Sequence, residues 1–391
     1  MKYDVVIIGA GASGLMCAAT AGYRGKSVLV IEHTNKVGRK ILMSGGGRSN
    51  FTNLHNTADN FVSENPHFCK SALSRYSVRD FIELVERHGV DYHEKTLGQL
   101  FCDDSSKEIL RVLLTECEWA GVEIHKEVTV KQVQKQAQGY QLDTTEGKIQ
   151  AQSVVIATGG LSIPNGGATP FAYEVATQYG LTVLPTSAGL VPFTLQPDLL
   201  EPLKPLSGVS HRITASVGEV SFTENMLFTH RGVSGPAILQ ISSYWHSSDE
   251  VEINFFPEFD LLIWLKDQRE QRPKADISTV MSQKMSKRMA QILCELFSLS
   301  GNMADKGNAE LEKISQAFCH WRVKPSGTEG YRTAEVTLGG ISTTEVSQKT
   351  MEANKAPGLF FIGECLDVTG HLGGHNFQWA WACGFAAGQA V

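Results

Sequence analysis

Cysteine is scarce in this chain of 391 residues: there are 8, with no C-x-x-C pair and no disulfide-dense spacing. That excludes a small disulfide scaffold and makes a reduced, cytoplasmic setting the expectation. Positive charge is also short. With 35 Lys and Arg against 41 Asp and Glu, the formal charge is −6, which gives no global attraction to nucleic acid or anionic membranes. On this balance nucleic acid is not expected as a partner. Long hydrophobic runs are missing beyond residue 22, where no stretch reaches the roughly 18 apolar residues that span a bilayer. The one apolar run, residues 5–22, ends in Ala19-Thr20-Ala21, which resembles a cleavage site. Lys2 is its only preceding basic residue, Asp4 cancels that charge, and glycines at 9, 11, 14 and 22 weaken a spanning helix. Neither a signal peptide nor a membrane anchor is expected.

Familiar catalytic patterns are missing as well. Gly232-Val-Ser-Gly235 has the wrong spacing for a nucleophile elbow. Gly25-Lys26-Ser27 is a decoy for a phosphate loop, because position 20 is Thr. His371 and His375 have a metal-like spacing, but Gly373-Gly374 interrupts the helix that would align them, so no metal site is expected. Cys365 has no partner cysteine nearby and reads as a small packed residue.

Against these absences stand 37 glycines, a 42% hydrophobic fraction and 19% charged residues, the balance of a globular protein of two or three domains. The glycines begin in a telling place. Tyr3–Ile8 reads as a buried strand, Gly9-Ala-Gly11-Ala-Ser-Gly14 follows, Leu15–Arg24 suits a helix, and the strand Ser27–Ile31 ends at Glu32. In a dinucleotide-binding βαβ unit, Gly9 makes the tight turn, Gly11 admits a pyrophosphate and Gly14 permits close helix packing. The helix amino terminus faces the phosphates, and Glu32 can accept from ribose hydroxyls.

Residues 35–53, NKVGRKILMSGGGRSNFTN, read as a long polar loop without secondary structure, a type that usually carries function. Its glycines let backbone approach a flat ring or phosphate, and Arg39, Lys40 and Arg48 can meet anionic oxygens. Two later strands, Ser153–Ile156 and Gly358–Ile362, run into Ala157-Thr158-Gly159-Gly160 and Gly363-Glu364-Cys365. Ligands of open α/β sheets sit at such strand ends, and a flavin nucleotide suits the number of turns.

The opening GAGASG, the loop GRKILMSGGGRSNFTN, FTHRGVSGP at 228–236 and GLFFIGECLDVTGHLGGHNFQWAWACG at 358–384 resemble a bacterial family. That family is described as FAD- or NAD(P)/FAD-dependent oxidoreductases, with members called bile-acid reductases or aminoacetone oxidases. The resemblance covers essentially the whole chain. It implies an α/β fold: a glutathione-reductase-like FAD-binding Rossmann domain, with parallel sheet and β-meander, interrupted by a substrate-side insertion. It also implies site residues. Gly9, Gly11, Ala12, Ser13 and Gly14 would face the pyrophosphate, Glu32 the ribose, and Arg39 and Lys40 the adenosine end. Ser44, Gly45, Gly46, Gly47, Arg48 and Asn50 would lie along the flavin, and Val128 would offer backbone to adenine. Thr158, Gly159, Gly363 and Glu364 complete the strand-end turns, and Asn376 and Phe377 would hold the flavin end. Ser49 stands where many members have cysteine and His375 where tyrosine is commoner, which argues against thiol chemistry at 49 and an essential histidine at 375.

Residues 1–190 and 332–391 are expected to form the FAD domain, 191–258 an antiparallel β insertion and 259–331 a helical one. Arg79–His88, Lys107–Ala120 and Phe259–Trp321 carry helical patterns, and 122–157 a β-meander. Between Lys266 and Lys324 there are 11 Lys and Arg against 7 Asp and Glu, so this helical part is +4 and the remainder −10. A solvated helical surface is the favoured reading of that charge, with contact to RNA or to an anionic nicotinamide nucleotide as the sharper alternative.

The expected activity is hydride transfer between FAD and a small-molecule substrate, with NAD(P)H, if used, entering only transiently because one G-x-G-x-x-G is present. The alternatives are an FAD protein acting on or with RNA and one using FAD structurally. The catalytic acid or base is unassigned: His371 reads equally as a proton donor or a turn-stabilising residue.

Overall fold

The apolar residues of Val5–Ile8 leave the first strand no exposed face, and it occupies the middle of a seven-stranded sheet. The structure, a computed structural model, describes residues 2–391. Its main sheet uses β1 (Lys2–Ile8), β2 (Val28–Glu32), β3 (Glu123–Lys126), β4 (Val130–Lys135), β5 (Tyr140–Thr144), β6 (Gly147–Ile156) and β7 (Leu359–Phe361). The order is β3-β2-β1-β6-β5-β4, with β7 also on β6. β1 pairs in parallel with β2 and β6, and β3 and β7 extend the parallel part. β4, β5 and the first half of β6 form an antiparallel meander. The ten-residue β6 therefore serves two neighbours on one side: the meander at Gly147–Ala151 and β7 at Val154–Ile156.

Between β1 and β2 runs the helix α1 (Ala12–Tyr23), buried along Ser13–Gly22. The closing helix, His375–Gly388, packs on it. A Cβ on Gly384 would lie 2.5 Å from the Ser13 carbonyl oxygen, and one on Gly388 2.8 Å from that of Cys17. Glycine at this i, i+4 pair is what lets the two backbones approach. Trp379 and Trp381 are buried; their indole N–H groups donate to the Gly363 and Phe51 carbonyls.

The chain forms two compact units, residues 1–188 with 335–391, and residues 189–334. The second unit holds a seven-stranded antiparallel sheet built on the hairpin Ser210–Val217 and Val220–Phe228. Its helices include Leu261–Gln271, Ile277–Met281 and Lys287–Leu296, capped at their amino ends by Asp260, Asp276 and Ser286. The strands expected at 191–258 and the helices expected at 259–331 share one hydrophobic core, which includes Phe255, Met281, Leu293 and Phe318.

Residues 35–53 are not a structureless loop. They contain the helix Arg39–Met43, a tight turn at Ser44–Gly47 and the strand Asn50–Asn53. The apolar Ile41 and Phe51, both buried, anchor this order inside a polar sequence that otherwise reads as loop.

Candidate functional site

Where β1 ends, the chain turns at Gly9 with φ +109°, and Ala157 at the end of β6 donates its N–H to the Ile8 carbonyl. A Cβ on Gly9 would lie 2.4 Å from the Ala157 oxygen, and one on Gly14 only 2.0 Å from the Gly9 oxygen. These two glycines are demanded by protein packing. Gly11 differs: nothing lies within 4 Å of where its Cβ would be. It is also the N-cap of α1 and makes no side-chain capping bond, so the first-turn N–H groups face open space, as an anion site requires.

Glu32 is buried, and its carboxylate holds the turn. Oε2 accepts from the Ala10 N–H at 3.1 Å, and Oε1 from the Thr34 N–H and hydroxyl, both at 2.8 Å. Three of roughly four lone-pair positions are thus used, leaving one for a ribose hydroxyl. Val128 donates its N–H to the Glu32 carbonyl at 3.1 Å, so only its own carbonyl is left to meet a base. Ser13 is buried against Gly363, where a Cβ would come within 2.6 Å of the serine Oγ.

The structure brings Lys40 to Glu364 from 324 residues away. The ammonium lies 2.5 Å from Glu364 Oε2 and 2.6 Å from the Ser162 hydroxyl. Glu364 Oε1 accepts from Ser162 and from the Thr337 N–H, each at 2.9 Å. Lys40 therefore neutralises a carboxylate inside the cradle, whereas Arg39 at its exposed end touches Asn35 and Asn165. Ser162 and Thr337 were not legible in the sequence: both are common polar residues whose role depends on partners far along the chain. Arg48 is exposed and makes no side-chain hydrogen bond or ion pair among the described residues. The neighbouring Gly46 and Gly47 have φ of +65° and +88° with nothing within 4 Å of a Cβ.

At the closing helix, Gly374 has φ +97° and a Cβ there would lie 2.5 Å from the Thr52 oxygen. Asn376 uses its amide to clasp Gly370, donating to the carbonyl at 2.7 Å and accepting from the N–H at 2.8 Å. Its side chain thus fixes the turn. Phe377 stacks on Trp381 at 5.5 Å. His375 lies 2.8 Å from Asn56 Oδ1. Burial, aided by His371 and His55, pushes its pKa down to about 3, and burial also lowers His371. Burial raises the Cys365 and Cys383 thiols instead, leaving no thiolate here.

The residues present suit a dinucleotide. Gly11, Gly46 and Gly47 leave room for atoms that no side chain fills, and the Thr158 hydroxyl is buried without a hydrogen-bond partner, a condition rare in native proteins unless a ligand completes it. Among the described residues, no group of three or more His, Cys, Asp or Glu is placed to hold a metal, and no helix is long and apolar enough to cross a membrane. A cavity of about 520 Å³ lies at the far end of α1, lined by Tyr23, Tyr76, Glu116, Trp119 and Phe385 among others.

The fold is an α/β Rossmann type, with a parallel sheet and glycine turns at its strand ends. The chain belongs to the family described as "HI0933-like protein Rossmann domain", which matches residues 3–390. It is 51% identical to the "Ribosomal RNA dihydrouridine synthase" of Escherichia coli (strain K12), covering 99% of this chain and 98% of that protein. The Haemophilus influenzae protein of the same name is 45% identical, over 99% and 98% of the two chains. The "3-dehydro-bile acid delta(4,6)-reductase" of Clostridium scindens is 28% identical, over 98% of each.

These relatives overturn one expectation. The acidic balance of the sequence argues against nucleic acid as a partner, yet two proteins at 45–51% identity are named for a reaction on ribosomal RNA. Net charge is a sum over the whole chain and does not register where cations gather.

Proposed function

We propose that this chain reduces uridine in ribosomal RNA to dihydrouridine, with FAD as hydride carrier and NADH or NADPH as a transient reductant. The observation that carries the reading is 51% identity, over nearly all of both chains, to a protein of that activity. When bound, the reduced flavin supplies the hydride that, with a proton, saturates the uracil C5–C6 bond.

The chain's own residues have separate tasks. Gly9, Gly14 and Glu32 hold the turn, and Gly11 with Ala12 and Ser13 offers backbone N–H groups to the pyrophosphate. Thr158 directs its unspent hydroxyl, and Gly159 its backbone, toward the nucleotide. Glu364, neutralised by Lys40, remains a hydrogen-bond acceptor for a polyol chain. Gly45, Gly46 and Gly47 keep side chains off the ring, while Ser44, Arg48 and Asn50 border it; Gly363, Asn376 and Phe377 shape its far end.

A local feature supports an RNA substrate. Lys284, Lys287 and Arg288 are exposed, and none has an ion-pair partner among the described residues. Lys287 and Arg288 occupy the first turn of a helix, where the helix dipole disfavours cations. Helix stability does not account for them; a phosphate backbone does.

The test uses purified protein, an unmodified ribosomal RNA transcript and either nicotinamide nucleotide, with nucleosides resolved by mass spectrometry. A yellow protein that converts uridine to a product heavier by two hydrogens is the expected result. A flavin that is reduced readily while every uridine stays intact overturns the substrate; protein that cannot retain FAD overturns the cofactor.

A further inference from the structure

In the second unit's sheet, the two-residue strand Phe193–Thr194 lies between Gly232–Ser234 and Gly327–Thr328. The chain before the first neighbour and after the second is clipped to this central strand. The Leu195 N–H donates to the Arg231 carbonyl at 3.1 Å, and the Glu329 N–H to that of Pro192 at 3.0 Å. Thr229 Oγ1 accepts from the N–H groups of Arg231 and Gly232, at 3.2 and 3.1 Å. A Cβ on Gly232 would lie 2.2 Å from the Phe193 oxygen, so the turn cannot move away. Two segments about a hundred residues apart are thereby fixed side by side, one of them the THRG of the motif at 228–236.

Arg231 and Glu329 form an ion pair at this corner, and Tyr331 follows Glu329 by two residues. The Arg231 guanidinium makes no hydrogen bond; its Nη1 is 3.6 Å from Glu329 Oε2, within ionic attraction but beyond a hydrogen bond. The Glu329 side chain is only 13% exposed and that of Arg231 44%, and neither makes a side-chain hydrogen bond among the described residues. Two residues on, past Gly330 at φ +74°, the Tyr331 hydroxyl is buried with no hydrogen-bond partner. Native proteins rarely leave a buried hydroxyl like that of Tyr331 unmatched unless a ligand matches it.

We infer that Arg231, Glu329 and Tyr331 recognise an imide edge, the O=C–N(H)–C=O face of uracil. The inference rests on the uridine reading above. That edge presents acceptor, donor, acceptor, and Arg231, Glu329 and Tyr331 supply donor, acceptor, donor. Cytosine has an amino group in place of one carbonyl and a bare ring nitrogen, whose lone pair would face the carboxylate. A site built from buried hydrogen-bonding groups rejects a base that leaves them unpaired far more strongly than an apolar pocket could. The isoalloxazine ring of a flavin carries the same imide, so the experiment separates the two sources.

Tyr331→Phe and Glu329→Gln holoenzymes are compared with wild type for flavin content, flavin photoreduction and steady-state kinetics on the ribosomal RNA transcript. A second transcript carries N3-methyluridine at the target. The expected result is at least a tenfold fall in kcat/KM for each variant, carried mainly by KM, with flavin content and photoreduction unchanged. Wild type is expected to discriminate against the methylated target, and Glu329→Gln to lose much of that discrimination. Variants with unaltered kcat/KM and discrimination overturn the inference while wild-type turnover leaves the uridine reading intact. Loss of flavin instead of RNA turnover assigns the imide to the cofactor and overturns uracil recognition. A wild type that forms no dihydrouridine removes both.

Discussion

At the scale of single residues, the glycines of the opening motif separate into two kinds. Gly14 faces the Gly9 carbonyl, where a Cβ would sit at 2.0 Å, and both atoms belong to backbone. Gly14→Ala therefore has no side chain to displace, and a loss of more than about 3 kcal/mol of stability is expected in urea melts, flavin present or absent. Gly11→Ala meets nothing within 4 Å. It is expected to fold with an unchanged urea midpoint in the apoprotein yet to bind FAD at least tenfold more weakly by fluorescence titration. Equal affinity in the Gly11 variant would place the pyrophosphate elsewhere.

His375 gives a second prediction at this scale. Its folded pKa is pushed from 6.5 down to about 3, chiefly by burial. The folded state thus keeps the imidazole neutral while the unfolded chain protonates it. Stability from this group is complete above pH 6.5 and is lost as the pH falls toward 3. The loss is roughly 3 kcal/mol by pH 4. Replacing it with asparagine is expected to flatten the acid limb of a stability profile by that amount, measured by chemical denaturation between pH 7 and pH 4. An unchanged slope would mean that other groups govern the acid limb.

At the scale of elements, the closing helix and α1 show how one pattern serves two ends. Their glycine contacts at 384 and 388 bring the helices together, and Gly373-Gly374 turns the chain into the helix beside the strand Asn50–Asn53. Periodicity does not locate this helix, because it is buried nearly all round and has no polar face to set a period. The short helix Arg39–Met43 was not legible, since five residues hold little more than one turn and their order comes from Ile41 packing into the core. The helix Lys287–Leu296 carries the element-scale prediction. Changing Lys284, Lys287 and Arg288 together to Gln is expected to weaken binding to the RNA transcript and to reduce its salt dependence. For single-stranded RNA the slope of log K against log salt should fall by about 2. Flavin content should stay constant. An unaltered slope would show that the phosphates meet another surface.

At the scale of the whole molecule, two hydrophobic cores support two units. All proposed FAD contacts lie in residues 1–188 and 335–391. A ligand stabilises only the structure that binds it, by about 2.7 kcal/mol at a hundredfold excess over Kd. Calorimetry is expected to show one transition that rises with added FAD and one that does not. A single transition shifting as a whole would show that the two cores unfold together.

The sequence by itself determined the βαβ opening and the strands that run into glycine turns, because each is a local pattern: a run of buried residues, and glycines where a Cβ cannot fit. Only the tertiary structure decided how the polar groups are used. It spends Lys40 on Glu364, most of the Glu32 carboxylate on Ala10 and Thr34, and the Val128 N–H on the Glu32 carbonyl. It also sets Arg231 beside Glu329. A polar partner that arrives from another strand or another part of the chain depends on sheet order and register, and neither leaves a local mark in the chain.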